Sequence, residues 1–176
     1  MDRKNYSDNI RKERISKDEF LKNSPVMNNA SDSFSGLNYF DPDISYRFEL
    51  ELLEFPVKEP IIIKDSKGND RHFLKWGRFE FVLDGVLNYL TAYKSNSGET
   101  RLFVPFKDAT TAKETYGAGR YIDLEEEHDK VNGKWILDFN LAYNPYCAYS
   151  HNYSCPLVPA ENVLKVEILA GEKKLK

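Results

Sequence analysis

Long apolar runs are missing from this chain, and so are most residue patterns that announce a site on their own. No stretch reaches the ~18 apolar residues of a membrane-spanning helix. The opening Met1-Asp-Arg-Lys-Asn-Tyr-Ser-Asp8 is charged and lacks the apolar segment of a secretory signal. The expectation is a cytoplasmic protein with no membrane partner. Basic residues are not in excess: 25 Lys and Arg face 28 Asp and Glu, a net charge of −3, which argues against a nucleic-acid partner. Cysteine occurs only twice, and in a cytoplasmic protein both thiols are expected to be reduced unless they bind metal or act in redox chemistry. There is no internal repeat.

What is present describes one β-rich domain. A length of 176 residues is enough to bury a real core. A hydrophobic content of 41% with 30% charged residues suits a globular chain, and an aromatic content of 14% points towards pleated sheet. Residues 1–33 form a polar arm. Within it Ser16-Lys-Asp-Glu19 reads as a capping box, predicting a short helix near residues 17–22 that Ser24-Pro25 ends. Asn28–Ser33 has loop composition, and Phe34–Asp43 is an aromatic turn segment suited to plugging one end of a core.

From Ile44 onward the period is two. Tyr46, Phe48, Leu50 and Leu52 share one face, and Phe79, Phe81 and Leu83 share another. Strands are expected over Glu59–Lys64, His72–Leu83, Leu87–Tyr93, Arg101–Phe106, Arg120–Leu124, Lys134–Phe139 and Val163–Leu169. Asp84-Gly85 is a two-residue hairpin signal, and Asn132-Gly133 marks another turn. The predicted fold is mainly β. It is an antiparallel meander in residues 34–176 that closes into a small barrel or a two-layer sheet, with a short N-terminal helix.

Two segments carry more polar and special-geometry residues than a fold needs: Asp108–Tyr121, and Asp138-Phe-Asn140 continuing through Ala142–Cys147 to Ser154-Cys-Pro156 and ending at Glu161-Asn162. The candidate ligand-binding residues are Asp108, Thr115, Tyr116, Arg120, Asp138, Asn140, Tyr143 and Asn144. Arg120 follows Gly117-Ala-Gly119 and precedes apolar strand residues, so it requires a carboxylate partner or an anionic ligand. Asp138 is the expected partner. The glycines are not a phosphate loop, because the Lys-Ser/Thr ending is absent. Cys147, His151 and Cys155 are spaced Cys-x3-His-x3-Cys, which is not a zinc knuckle. Two buried thiols acting as small hydrophobes are the default there, with a metal site or a nucleophilic cysteine as the minor alternatives.

Leu102–Tyr121, with its Asp108-Ala-Thr-Thr-Ala-Lys-Glu-Thr-Tyr-Gly-Ala-Gly-Arg120 run, resembles the signature of a prokaryotic family known as domain of unknown function 1684. Leu137–Ala148, Cys155-Pro-Leu157, Glu161-Asn162 and Ala170–Lys173 resemble it too, so the likeness is strongest over residues 100–173. The resemblance carries no established activity to transfer, and it leaves the cofactor open. The family pattern does not require a histidine at position 151, and it often has Arg where this chain has Leu141. The leading expectation is a small-molecule-binding domain, or an enzyme of unknown reaction, with a polar site at one barrel end and a small anionic or polar partner. A non-catalytic module whose polar cluster satisfies itself is the alternative, and a thiol or metal protein centred on Cys147 and Cys155 is the weaker one.

Overall fold

The computed structural model describes residues 2–27 and 34–175; the predicted loop Asn28–Ser33 lies outside them. Nine strands follow the N-terminal helix α1 (Arg3–Lys22): β1 (Arg47–Leu50), β2 (Leu53–Glu54), β3 (Pro60–Lys64), β4 (Asp70–Leu83), β5 (Val86–Lys94), β6 (Arg101–Phe106), β7 (Arg120–Glu125), β8 (Lys130–Val131) and β9 (Lys134–Asp138). A single helical turn, α2 (Glu126–Asp129), separates β7 from β8.

These strands make two antiparallel sheets and no closed barrel. The larger has the order β2-β4-β5-β6-β7, with β3 also paired to β4, and the smaller is β1-β9-β8. β4 is 14 residues long, so one edge serves two partners: β3 beside Asp70–Leu74 and β2 beside Gly77-Arg78. The alternating segment around Phe48 and Leu52 therefore divides, with β1 in one sheet and β2 in the other. At the β4–β5 turn Asp84 and Gly85 take φ of 52° and 76°, and Leu83 faces Val86 across it. Two successive left-handed residues match the twist of the flanking strands.

Alternation sorts the faces. Phe79, Phe81, Leu90, Leu102, Val104, Ile122 and Leu124 of the larger sheet meet Trp135 and Leu137 of the smaller one in the main core. Removing each such side chain from water contributes ~1.5–3 kcal/mol. The opposite face of the larger sheet holds a second cluster of Ile63, Tyr93, Phe103 and Tyr121. Arg101 and Asp123 belong to this second face by parity, because Phe103 pairs with Asp123 and Arg101 with Glu125.

Helix α1 is present but starts at Arg3, so Ser16 and Glu19 lie inside it and do not cap it. The reason is tertiary. Tyr6, Ile10 and Leu21 are buried, and between them the same stripe is continued by two cations. Arg14 donates to the Phe40 carbonyl at 2.7 Å and the Asn140 carbonyl at 3.3 Å, and Lys17 bonds Glu172. A stripe whose middle anchors are charged does not show as an apolar period.

The expected strand Val163–Leu169 is not one. Leu164, Ile168 and Ala170 are buried, but the segment makes a single bridge, between Lys107 and Val163, together with a backbone bond from Ala109 N to the Val166 carbonyl at 2.9 Å. Its later peptide groups go to side chains: Asp108 accepts from Ile168 N at 2.7 Å, and Arg120 donates to the Ile168 carbonyl at 3.0 Å and to the Ala170 carbonyl.

Candidate functional site

Most of the sequence-predicted polar residues close on one another. Arg120 does not meet Asp138. It is 1% exposed and reaches Asp108 at 3.3 Å, three backbone carbonyls of residues 168–172, and the face of Phe106 at 5.1 Å. Parity explains this choice: Arg120 points to the core side of β7 with Ile122 and Leu124, where the C-terminal segment lies. Burial lowers the Arg120 pKa from the ordinary arginine value, and the charges of Asp108 and Glu172 oppose that. Asp108 also accepts from the hydroxyls of Thr110 and Thr111, and Thr115 joins Thr110 at 3.0 Å. Both terminal nitrogens of Arg120, the Asp108 carboxylate and the three threonine hydroxyls all have internal partners, so Arg120 is sealed from solvent and holds the fold.

Asp138 is buried with different company. Tyr6 donates to both its oxygens at 2.9 and 2.7 Å, and Asn140 donates through its backbone and side-chain nitrogens at 2.9 and 3.0 Å. Asn140 also exchanges two bonds with the backbone of Asp43. Asn144 is tied to the C-terminal segment: its backbone donates to Glu172 at 2.8 Å and its amide to the Lys173 carbonyl at 2.9 Å. Gly171 permits that approach. Its φ is 79°, and a Cβ there would lie 2.6 Å from the Phe139 carbonyl.

The two polar segments, residues 108–121 and 138–147, meet at their ends. Tyr121 and Tyr143 exchange backbone bonds at 2.9 and 3.0 Å, and the Tyr116 hydroxyl touches the Cys147 sulfur at 3.8 Å. Beside this junction opens a cleft of about 520 Å³ lined by Lys17, Phe20, Arg101, Tyr121, Asp123, Tyr143, Pro145, Tyr146 and Cys155. Of the residues singled out as ligand-binding, only Tyr143 lines it. Its hydroxyl donates to Asp123 Oδ2 at 2.5 Å, and Lys17 Nζ sits 4.8 Å over its ring. Arg101 reaches the same Asp123 oxygen at 3.9 Å and Glu99 at 3.2 Å.

The electrostatics are those of a partly dried charge pair. Burial raises the Asp123 pKa above the ordinary aspartate value, against the opposing pull of the Tyr143 hydroxyl and Arg101. Tyr143 is raised too, by burial and then by the Asp123 charge, so it remains a hydrogen-bond donor at neutral pH. For Arg101 burial works against the charge, but Asp123 and Glu99 outweigh it and the pKa rises.

The cysteines are less buried than expected, although Cys155 does pack against the second cluster. Both are half-buried free thiols, and Cys155 opens on the cleft. Burial, together with neighbouring Cys147, pushes the Cys155 thiol up to about 11, which removes the low-pKa thiolate a nucleophile needs. His151 is exposed, and among the described residues no three His, Cys, Asp or Glu side chains gather as metal ligands.

A family model described as "Protein of unknown function (DUF1684)" matches residues 32–173. The chain belongs to this family. The match reaches well ahead of the motifs legible near residue 100 and takes in all nine strands. A solution NMR structure of an uncharacterized protein from Haloarcula marismortui is similar, with 37% identity, a TM-score of 0.73, and coverage of 97% of this chain and 95% of that one. No curated protein matches. In this DUF1684 chain the quoted motifs mostly close the fold. Asp108 and Arg120 latch the C-terminal segment. Asn162 clamps strands from within, accepting from Thr91 N at 2.8 Å and donating to the Thr91 and Pro105 carbonyls at 2.8 and 2.7 Å.

Proposed function

We propose that this protein binds a small polar molecule in the cleft between α1, β6, β7 and the turn after β9. One observation carries the reading. Arg101, Asp123, Tyr143 and Lys17 come from four separate segments and line one opening, with Arg101 46% exposed and Asp123 27% exposed at the side chain. The polar clusters around Arg120 and Asp138, by contrast, are tied up by internal partners. Aromatic walls with a few convergent polar groups are the usual composition of a small-molecule site.

The test is a fragment screen by NMR on the isotope-labelled full chain, repeated on Arg101→Ala. Hits are expected to shift amides around residues 101, 123 and 143. Arg101→Ala should lose them while melting within a few degrees of the parent, because an exposed charge contributes ~0–1 kcal/mol. Hits scattered over the surface, or unchanged in the variant, would sink the proposal. They would favour the second reading, a non-catalytic module. That reading is supported by the internal pairing of Arg120 and Asp138.

A further inference from the structure

We infer that the cleft takes a flat, uncharged molecule whose edge sets a hydrogen-bond donor beside an acceptor, the pattern of a lactam-type heterocycle. This rests on the cleft being a ligand site at all and specifies what the site selects.

The first argument is the use of Asp123. Tyr143 and Arg101 both approach Oδ2, at 2.5 and 3.9 Å. Among the described residues, Oδ1 has no hydrogen-bond partner, and it is not among the buried atoms left unpaired. An oxygen that is neither bonded nor sealed is open to solvent, and this residue lines the cleft. It offers an acceptor whose lone pairs are unused.

Arg101 supplies the complementary half. Its guanidinium carries five donors, and its recorded partners are Glu99 at 3.2 Å and Asp123 at 3.9 Å, the second too long for a hydrogen bond. Donors therefore remain for a ligand beside the open Asp123 oxygen. On β6 and β7 the two residues are diagonal neighbours, since Arg101 pairs with Glu125 and Asp123 with Phe103. That places their heads side by side along one edge.

Charge decides against simple ions. The two cations at the cleft, Lys17 and Arg101, already answer three carboxylates: Glu172, Glu99 and Asp123. An anion would enter a field that is not positive, so the small anionic partner expected from the sequence is not favoured. A cation would meet Lys17, which already covers one face of Tyr143, and Arg101 beyond it. A neutral donor–acceptor edge suits both heads. Phe20, Tyr121, Tyr143, Pro145 and Tyr146 provide walls for a planar body, and about 520 Å³ holds a ring with a modest substituent.

The experiment titrates the labelled full chain with uridine, whose N3–H lies between two carbonyls, and with 3-methyluridine, which lacks that donor. Benzoate serves as a flat anion and tyrosine as an aromatic zwitterion. Uridine is expected to shift amides in residues 101–103, 121–123 and 143–146, with 3-methyluridine at least about tenfold weaker because the methyl group covers the Asp123 oxygen and leaves it unpaired. Equal binding of the methylated compound, or preference for benzoate or tyrosine at the same amides, overturns the donor–acceptor edge and leaves the cleft as a site. If uridine moves none of these amides, the inference falls. A library hit there would still preserve the cleft reading, and a library with no hit there ends both.

Discussion

At the residue scale, Arg120 is the side chain whose character was legible and whose partner was not. An arginine placed after two glycines and before apolar strand residues has to be paired, and it is. Asp138 was the wrong choice because β7 alternation turns Arg120 towards residues 168–172, while Asp138 is taken by Tyr6 from a helix far away in sequence. Removing one member of a buried charge pair leaves the other uncompensated. Arg120→Met is therefore expected to cost ~3–5 kcal/mol in urea unfolding. Arg120→Lys should also be clearly destabilising, because an ammonium cannot reproduce a fork that serves a carboxylate and three carbonyls. Arg101→Lys, on the open cleft, should change stability little, and equal losses at the two positions would show that Arg120 has no special structural role. Cys155 gives a pH-dependent prediction. Its folded pKa is raised to about 11, so the thiol form is favoured by the fold and the reactive thiolate is scarce at neutral pH. Alkylation followed by peptide mass spectrometry should show the Cys155 rate still climbing about tenfold per pH unit above pH 9, where an ordinary thiol with a pKa of ~8.5 has levelled off. A plateau near pH 9 would contradict it.

At the scale of elements, the hairpins and alternating strands could be read because their information is local. Asp84-Gly85 sets its own turn, and Phe79, Phe81 and Leu83 declare one face of β4. Two elements were misread, for opposite physical reasons. Val163–Leu169 alternates like a strand, but Asp108 and Arg120 substitute side-chain groups for the neighbouring backbone ladder. Helix α1 lacks a continuous apolar stripe because Arg14 and Lys17 stand where leucines would usually be, and their bonds to distant residues are invisible in sequence. The helix therefore depends on its polar anchors. Tyr6→Phe removes both hydroxyl bonds to the buried Asp138, which should cost ~1–3 kcal/mol. Hydrogen exchange should locate the loss: amides of α1 are expected to exchange faster while those of β4 and β5 keep their protection. A uniform rise across the molecule would mean that the helix is not a separately tied element.

At the scale of the whole molecule, the cleft was beyond local reading because its lining comes from α1, β6, β7, the turn after β9 and the loop at Cys155. Parity alone places Arg101 and Asp123 on one face once the β6–β7 pairing is known, yet nothing local marks that face as the open one. The loop carrying Cys155 is held from across the molecule by Asp65. This carboxylate is 2% exposed and accepts from Lys67 N at 2.9 Å, Asn69 N at 3.0 Å, the Ser154 hydroxyl at 3.0 Å and Arg71 Nε at 3.1 Å. Backbone bonds from Ser66 N to the Cys155 carbonyl and from Leu157 N to the Lys64 carbonyl complete the seam, each at 2.9 Å. Burial works against the Asp65 charge, but the bonds from Asn69, Lys67 and Ser154 outweigh it and hold the pKa well below the ordinary aspartate value. A depressed folded pKa contributes stability that is fully present above the unfolded value of ~3.9 and is lost as pH falls below it. Thermal melts from pH 7 to pH 2 should therefore show the parent losing stability steeply below about pH 4. Asp65→Asn should be less stable at pH 7 and should fall less steeply over the acid range. Because the seam reaches the loop at Cys155, acid should also lower the exchange protection factors of the amides around residues 153–157, normalised to the intrinsic rate at each pH, before those of the main core fall. Parallel acid limbs for parent and variant would show that Asp65 does not carry this linkage.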